Sequence, residues 1–360
     1  MECLKKQESN KSFLDSLKIK PLNKAFYEEV KKNFDTVAKP LDGLGEFEKV
    51  IARIGAIKEK KDFSLDKRAL IIMCSDNGIV EEKVTQSSSE VTLKVAKNML
   101  RGKSSVAVMA NKINIDCFVF DVGIDSDEKP EGLIDKKIRR GTRNFAKEPA
   151  MTNEEMIKAI NVGIEAVRDL SQKGYEIIAL GEMGIGNTTT SSAVCTALLK
   201  ESAESVTGRG AGLDDEGLKR KIRVIDEAIK KYDLYEKDPF EILECVGGYD
   251  IAALTGACIG AAIYGIPVVI DGAITQIAAL LAIRLIPEVT DYIFASHKGR
   301  EASSEKVLKE LELNAVISAD MALGEGSGAV MFISLLDDAL CVYQNAARFD
   351  ELEMNNYERF

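Results

Sequence analysis

Six short runs rich in β-branched and other apolar residues, 69–74, 116–122, 175–180, 266–270, 292–295 and 315–318, recur between segments with helical periodicity. They lack the apolar–polar alternation of a strand with one wet face, so each reads as a strand covered on both faces. Such strands, separated by amphipathic helices, build a mostly parallel sheet with helices on both faces, a Rossmann-like α/β core. Several runs end in a polar or glycine-containing turn: 75–78, 123–125, 181–187, 271–272 and 296–299. Ligands of open α/β sheets collect at the carboxyl ends of the strands, so these turns mark the expected site.

Segments 23–57 and 329–352 read as helical. They suggest a small helical domain of residues 1–59 together with 329–360, beside a large α/β core domain of residues 60–328. Residues 251–270 carry no charge and are long enough to span a bilayer. Gly265 and Pro267 interrupt them, however, and 266–270 is β-branched, so a buried helix, a tight turn and a central strand are expected, followed by a helix over 273–285. The net charge of −10 repels nucleic acid and anionic membrane, and neither is an expected partner. The seven cysteines are scattered without a CxxC pair, several of them in apolar runs, and the N-terminus lacks an apolar signal core. Buried free thiols and a cytoplasmic location follow.

Three glycine-rich clusters carry the chemistry. GEMGIGNTTT (181–190) stands where a strand passes into a helix, so that Gly184, Gly186, Asn187 and Thr188 offer backbone N–H groups to a phosphate. Glu182 is the odd member, because a carboxylate beside a phosphate is repulsive unless it serves another part of the ligand. TGRGAGLDD (207–215) precedes a helix starting near Glu216. In this cluster Arg209, between Gly208 and Gly210, can meet a phosphate bidentately or simply belong to a flexible helix entry. On that helix Lys221 sits at the edge of an apolar stripe, where it either snorkels or reaches into a site. LGEGSGA (323–329) again sets a carboxylate, Glu325, among glycines, with Leu323, Gly324 and Gly326 around it. Two glutamates in similar loops are expected to converge, and paired carboxylates suit a cationic sugar carbon and a proton acceptor.

Other readings are weaker. His297, the single histidine, is a candidate base, although a polar loop residue at a strand end is the simpler role. One histidine and dispersed cysteines leave no zinc site. Asp76, Asp121, Asp125 and Asp271 have no spacing that specifies magnesium, and capping is their simplest use. No metal and no cofactor are expected. Residues 184–189 lack the P-loop lysine, and no GxGxxG follows the first strand.

Taken together, the clusters resemble the nicotinate-nucleotide:dimethylbenzimidazole phosphoribosyltransferase family. The resemblance runs through KPLDGLGEFE (39–48), SDNGIVEEKVTQ (75–86), RGKSSVAVMA (101–110), RRGTRNFAKEPAMT (139–152), GEMGIGNTTT, TGRGAGLDD, DPFEILECVGGYDIAALTGA (238–257), IDGAI (270–274), FASHKGRE (294–301) and LGEGSGA. It implies a homodimer that converts nicotinate mononucleotide and 5,6-dimethylbenzimidazole to α-ribazole 5'-phosphate and nicotinate. By motif, Glu325 would take the proton of the aromatic base, and Glu182 and Lys221 would line the ribose and phosphate. Asp76, Asn77, Thr85, Gln86 and Leu323 would contact the acceptor. The chain departs from the family at Asn77, commonly histidine, in the loop 41–45, and in 85–89, which lacks the usual tyrosine and proline. Because these changes fall on the acceptor side, phenolic and purine acceptors stay open, as do a hydrolase and a non-catalytic binding subunit.

Overall fold

The computed structural model describes residues 2–359, with side chains from Lys6 onward. Strands β1 (Arg68–Ser75), β2 (Ile115–Gly123), β3 (Ile134–Asp135), β4 (Ile177–Met183), β5 (Val268–Ile270) and β6 (Ile293–Ala295) form one sheet in the order β3-β2-β1-β4-β5-β6. Every pairing in it is parallel. Successive side chains of a strand point to opposite faces, and β1 is buried at every position from Ala69 to Ser75, so helices cover the sheet on both sides. The strand order reverses between β1 and β4, which opens a crevice above their carboxyl ends.

Helices α1 (Glu2–Ser16), α2 (Lys24–Asp35) and α3 (Glu46–Lys58) precede β1, and α4 (Glu90–Leu100) and α5 (Ser105–Lys112) lead to β2. After β3, α6 (Asn153–Gln172) leads to β4. Then α7 (Asn187–Leu199), α8 (Ala203–Val206), α9 (Asp215–Tyr232), α10 (Pro239–Val246) and α11 (Tyr249–Tyr264) run to β5. Helix α12 (Ala273–Leu285) joins β5 to β6. A second parallel pair, β7 (His297–Gly299) and β8 (Ile317–Met321), flanks α13 (Ala302–Glu310), and α14 (Ser327–Asn345) follows.

The uncharged stretch 251–270 divides as its breakers require: α11 is capped by Gly265 at φ 64°, and β5 follows. No helix among the described residues is long and apolar enough to cross a membrane. Two expectations need correction. The run 315–318 is not a strand of the main sheet; it is displaced to β8, where residues 318–320 face solvent and the partner is β7. The third run begins two residues later than expected and continues through Gly181 and Glu182 to Met183, because its pairing with β1 persists to Met183 opposite Cys74. Glu182 is therefore a strand residue. Cys74, Cys195 and Cys258 are buried free thiols, whereas Cys341 is exposed; the Cys3 side chain lies outside the described residues.

The two chain ends meet. Val37 bridges Arg348, Arg348 donates to the Asn33 carbonyl at 2.9 Å, and the rings of Phe34 and Tyr343 lie 5.0 Å apart, edge to face. Helix α14 also packs on β4, β5 and α5, and residues from both regions share one hydrophobic core. The division into a core and a terminal helical domain is thus a proposal about folding units within a continuous interior.

Helix α11 lies against β1, β2 and β4, with α6 backing it. Gly163 and Gly256 allow this close approach, since a Cβ on Gly163 would lie 1.8 Å from the Ala253 carbonyl oxygen and one on Gly256 1.8 Å from that of Ile160. Gly163→Ala is expected to lower unfolding free energy by about 3 kcal/mol as the helices separate, as measured by urea denaturation. An unchanged midpoint would show that the pair is loosely packed.

Candidate active site

Aspartates at the strand ends hold the loops of the crevice. Asp76, just after β1, accepts from the Thr92 hydroxyl at 2.6 Å and from the Asp125 N–H at 2.8 Å. Thr92 in turn accepts from the Ile185 N–H at 3.1 Å, which ties three loops together. Asp121 accepts from the N–H groups of Gly123 and Ile124. Asp271, after β5, accepts from Gly326, Gly328 and Ala329 at 3.1, 2.7 and 3.3 Å, capping the start of α14. Among the described residues no three metal-binding side chains come together.

A cleft of about 550 Å³ opens at the carboxyl ends of the strands, lined by Glu182, Thr188, Ser191, Ser192, Gly208, Gly210, Lys221, Asp271, Gly272, His297, Glu301, Ser303 and Gly324, among others. Lys221 is fully buried; its Nζ donates to the Thr188 hydroxyl at 2.9 Å and to the Gly208 carbonyl at 3.1 Å. Burial lowers its pKa to about 8, against the pull of Glu301. Glu182 accepts from Asn187 Nδ2 at 2.5 Å and from the backbone N–H of Glu325. Burial raises its pKa to about 8, with the charges of Asp250 and Asp271 adding to the shift. Asn187 also donates to Asp250 at 3.1 Å; that buried carboxyl is raised to about 6, as is Asp76.

The loop carrying Glu325 packs onto β4 because Gly181 has no side chain: a Cβ there would lie 2.2 Å from the Glu325 carbonyl oxygen. Glu325 itself is at φ 63°, and its carboxyl turns toward α5, held by the Val106 N–H and the Ser104 side chain. Burial raises its pKa, and its Oε2 is buried without a hydrogen-bond partner among the described residues. A separate depression of about 360 Å³ is lined by Thr85, Gln86, Gly184, Gly186, Asn187, Thr188, Arg209 and neighbouring residues.

A family model described as a phosphoribosyltransferase matches residues 19–353. The nicotinate-nucleotide–dimethylbenzimidazole phosphoribosyltransferase of Clostridium perfringens is 46% identical over 91% of each chain. That of Acetivibrio thermocellus is 44% identical over 91% of this chain and 94% of its own. The chain belongs to this phosphoribosyltransferase family. The crystal structure of CobT from Thermus thermophilus superposes with a TM-score of 0.87 at 34% identity, covering 92% of this chain and 100% of that one.

The residues expected to form the site of this phosphoribosyltransferase fall in several places. The loops of Glu182 and Glu325 converge; Glu182 lines the cleft, and the carboxyl of Glu325 turns toward the N-terminus of α5. The phosphate set divides as well. Thr188, Gly208, Gly210 and Gly324 line the cleft, Gly184, Gly186, Asn187 and Arg209 line the second depression, and Thr188 belongs to both. Gly326 donates its N–H to Asp271. Arg209 is ion-paired with Asp215 and bonded to the Leu213 carbonyl, so its fork is not held toward the cleft. Asp76 braces loops and is 2% exposed, with its carboxylate engaged by Thr92 and Asp125. Asn77 is buried, its amide donating weakly to the Ile185 carbonyl at 3.4 Å and to the Ser75 carbonyl at 3.5 Å. Gln86 donates to the Gly212 carbonyl at 2.6 Å, and Leu323 is 51% exposed.

Sequence reasoning left Asp250 without a role and favoured a polar loop residue at a strand end for His297. Both are buried, and His297 lines the cleft. The charge of Asp250 inside an otherwise apolar helix was the available signal.

Because the fold raises the Glu182 pKa, the folded chain keeps a proton that the unfolded chain has released. Its contribution to stability is present below about 4.5 and is lost as pH rises toward about 8. Urea unfolding should show the native protein losing stability relative to Glu182→Gln across that interval. Parallel curves would remove the shift.

Proposed function

We propose that this enzyme transfers the phosphoribosyl group of nicotinate mononucleotide to 5,6-dimethylbenzimidazole or a related lower-ligand base, giving α-ribazole 5'-phosphate and nicotinate. The names of the relatives support both substrates. The observation that carries the reading is the loop 323–326: its backbone holds Glu182 in the cleft, while Glu325 keeps a desolvated oxygen without a partner on the other side.

The C1'–N bond to a pyridinium breaks with its electron pair going to nicotinate, which leaves without needing a proton. The imidazole nitrogen of the acceptor attacks C1' from the opposite face, and its N–H proton passes to Glu325. Burial makes Glu325 a stronger base than a surface glutamate. Glu182 lies on the ribose side and Lys221 on the phosphate side, and fixing the donor there can supply ~7–11 kcal/mol of the barrier. Acceptors with a phenolic hydroxyl or a purine nitrogen need the same proton removed.

The same reading includes a cytoplasmic homodimer. Val108 on α5 and Met331 and Leu335 on α14, which packs against α5, are exposed apolar residues, and a second copy would cover them. Light scattering should give a dimer mass that Leu335→Glu converts to monomer; a native monomer would end that part of the proposal.

Incubation with nicotinate mononucleotide and a panel of benzimidazoles, phenols and purines should release nicotinate and form a base-linked nucleotide. Glu325→Gln is expected to lower kcat by about 10²- to 10⁴-fold. No release above that variant would overturn the function, and free ribose phosphate as the product would identify a hydrolase.

A further inference from the structure

We propose that His297 binds the phosphate of the nucleotide donor through Nε2, together with the backbone N–H groups at the start of α12. The inference rests on the phosphoribosyl-transfer reading of the cleft and names a phosphate-binding surface within it.

His297 is 3% exposed and forms part of the cleft wall. Its Nδ1 lies 3.0 Å from the Ser296 hydroxyl, which can donate to it and leave the ring proton on Nε2. Nε2 has no protein partner among the described residues. It faces Gly272, another wall residue, whose Cβ position lies 3.5 Å away. Gly328 at the start of α14 makes room for the ring in this position, since a Cβ there would lie 2.0 Å from Nδ1. The His297 carbonyl accepts from Gln276 at 3.1 Å, so α12 and the histidine are fixed relative to one another.

Gly272 is the N-cap of the 13-residue α12, and the first backbone donor returned to the helix is the Gln276 N–H, at 3.0 Å from the Gly272 carbonyl. The N–H groups of Ala273, Ile274 and Thr275 have no protein partner among the described residues, and all three residues line the cleft. Unpaired helix donors beside a buried imidazole N–H form an anion site. The charges around it are Lys221 from α9, Glu182 from β4, Asp271 just after β5 and Glu301 before α13. Asp271 is 3.8 Å from Nδ1 and already accepts the three N–H groups of the α14 start, so its oxygens are committed there.

A single histidine gives one imidazole signal pair, so the full chain labelled with ¹⁵N-histidine reports on this site alone. Titration with inorganic phosphate should shift Nε2 saturably. Ala273→Pro removes one helix donor at a position where proline fits, and should weaken phosphate about tenfold without touching the ring. His297→Gln should raise the donor KM by more than it lowers kcat, and should weaken phosphate to a similar degree. An Nε2 signal unmoved at saturating phosphate, or moved only by ribose 5-phosphate, would overturn the assignment. So would a His297→Gln protein that binds phosphate as the native chain does. If the native chain releases nicotinate while His297 ignores phosphate, the inference fails and the function stands. If it releases none, the function fails, and the phosphate titration still decides the site.

Discussion

The first N–H groups of α14 have no carbonyl within their own helix, and the carboxylate of Asp271 at the end of β5 takes three of the N–H groups at that start. This cap ties the loop 323–328 to the central strands. With Gly181 leaving room beneath it, the loop can lie on β4. Glu182 then receives its backbone N–H from Glu325, and Glu325 is carried over to α5. His297, beside the same aspartate, comes into the cleft wall. One capped helix start thus positions groups from β4, β6–β7 and α14 relative to one another.

The carboxyl ends of the strands gather Asp76, Glu182, Asp250 and Asp271 in a region largely removed from water, and burial is the largest influence on each. Each has backbone N–H or side-chain donors, and those donors partly restore its acidity. Glu182 is raised further than Asp76 and Asp250, to about 8, so its neutral form is favoured around neutral pH. The cleft wall therefore presents Lys221, helix N–H groups without a protein partner among the described residues, and a Glu182 that favours its neutral form. The sequence motif alone presented Glu182 as a fixed negative charge beside an anion, and burial removes that conflict.

Much of the fold was legible locally. β-branched runs gave the parallel strands, and α12 begins and ends at the residues its periodicity indicated, Ala273 and Leu285. Gly265 and Pro267 divided the long uncharged stretch correctly because a turn at φ 64° and a missing N–H act on the backbone directly. The two-residue β3 was missed because so short a segment has no pattern. β7 was read as a turn because His297 and Lys298 carry no strand signature, and its pairing with β8 supplies the order.

The sequence by itself determined the class of fold, the strand ends where a ligand would gather, and which glycine loops bring donors and carboxylates there. Those follow from backbone preference and side-chain period, which act over a few residues. Only the tertiary structure decided that Glu182 faces the cleft and Glu325 faces α5, that Arg209 is engaged by Asp215, that Asp76 is a brace, and that His297 is a buried wall. Each of these depends on a partner distant in the chain or on exclusion from water. Neither the direction of a side chain nor its desolvation is encoded in the spacing of its immediate neighbours.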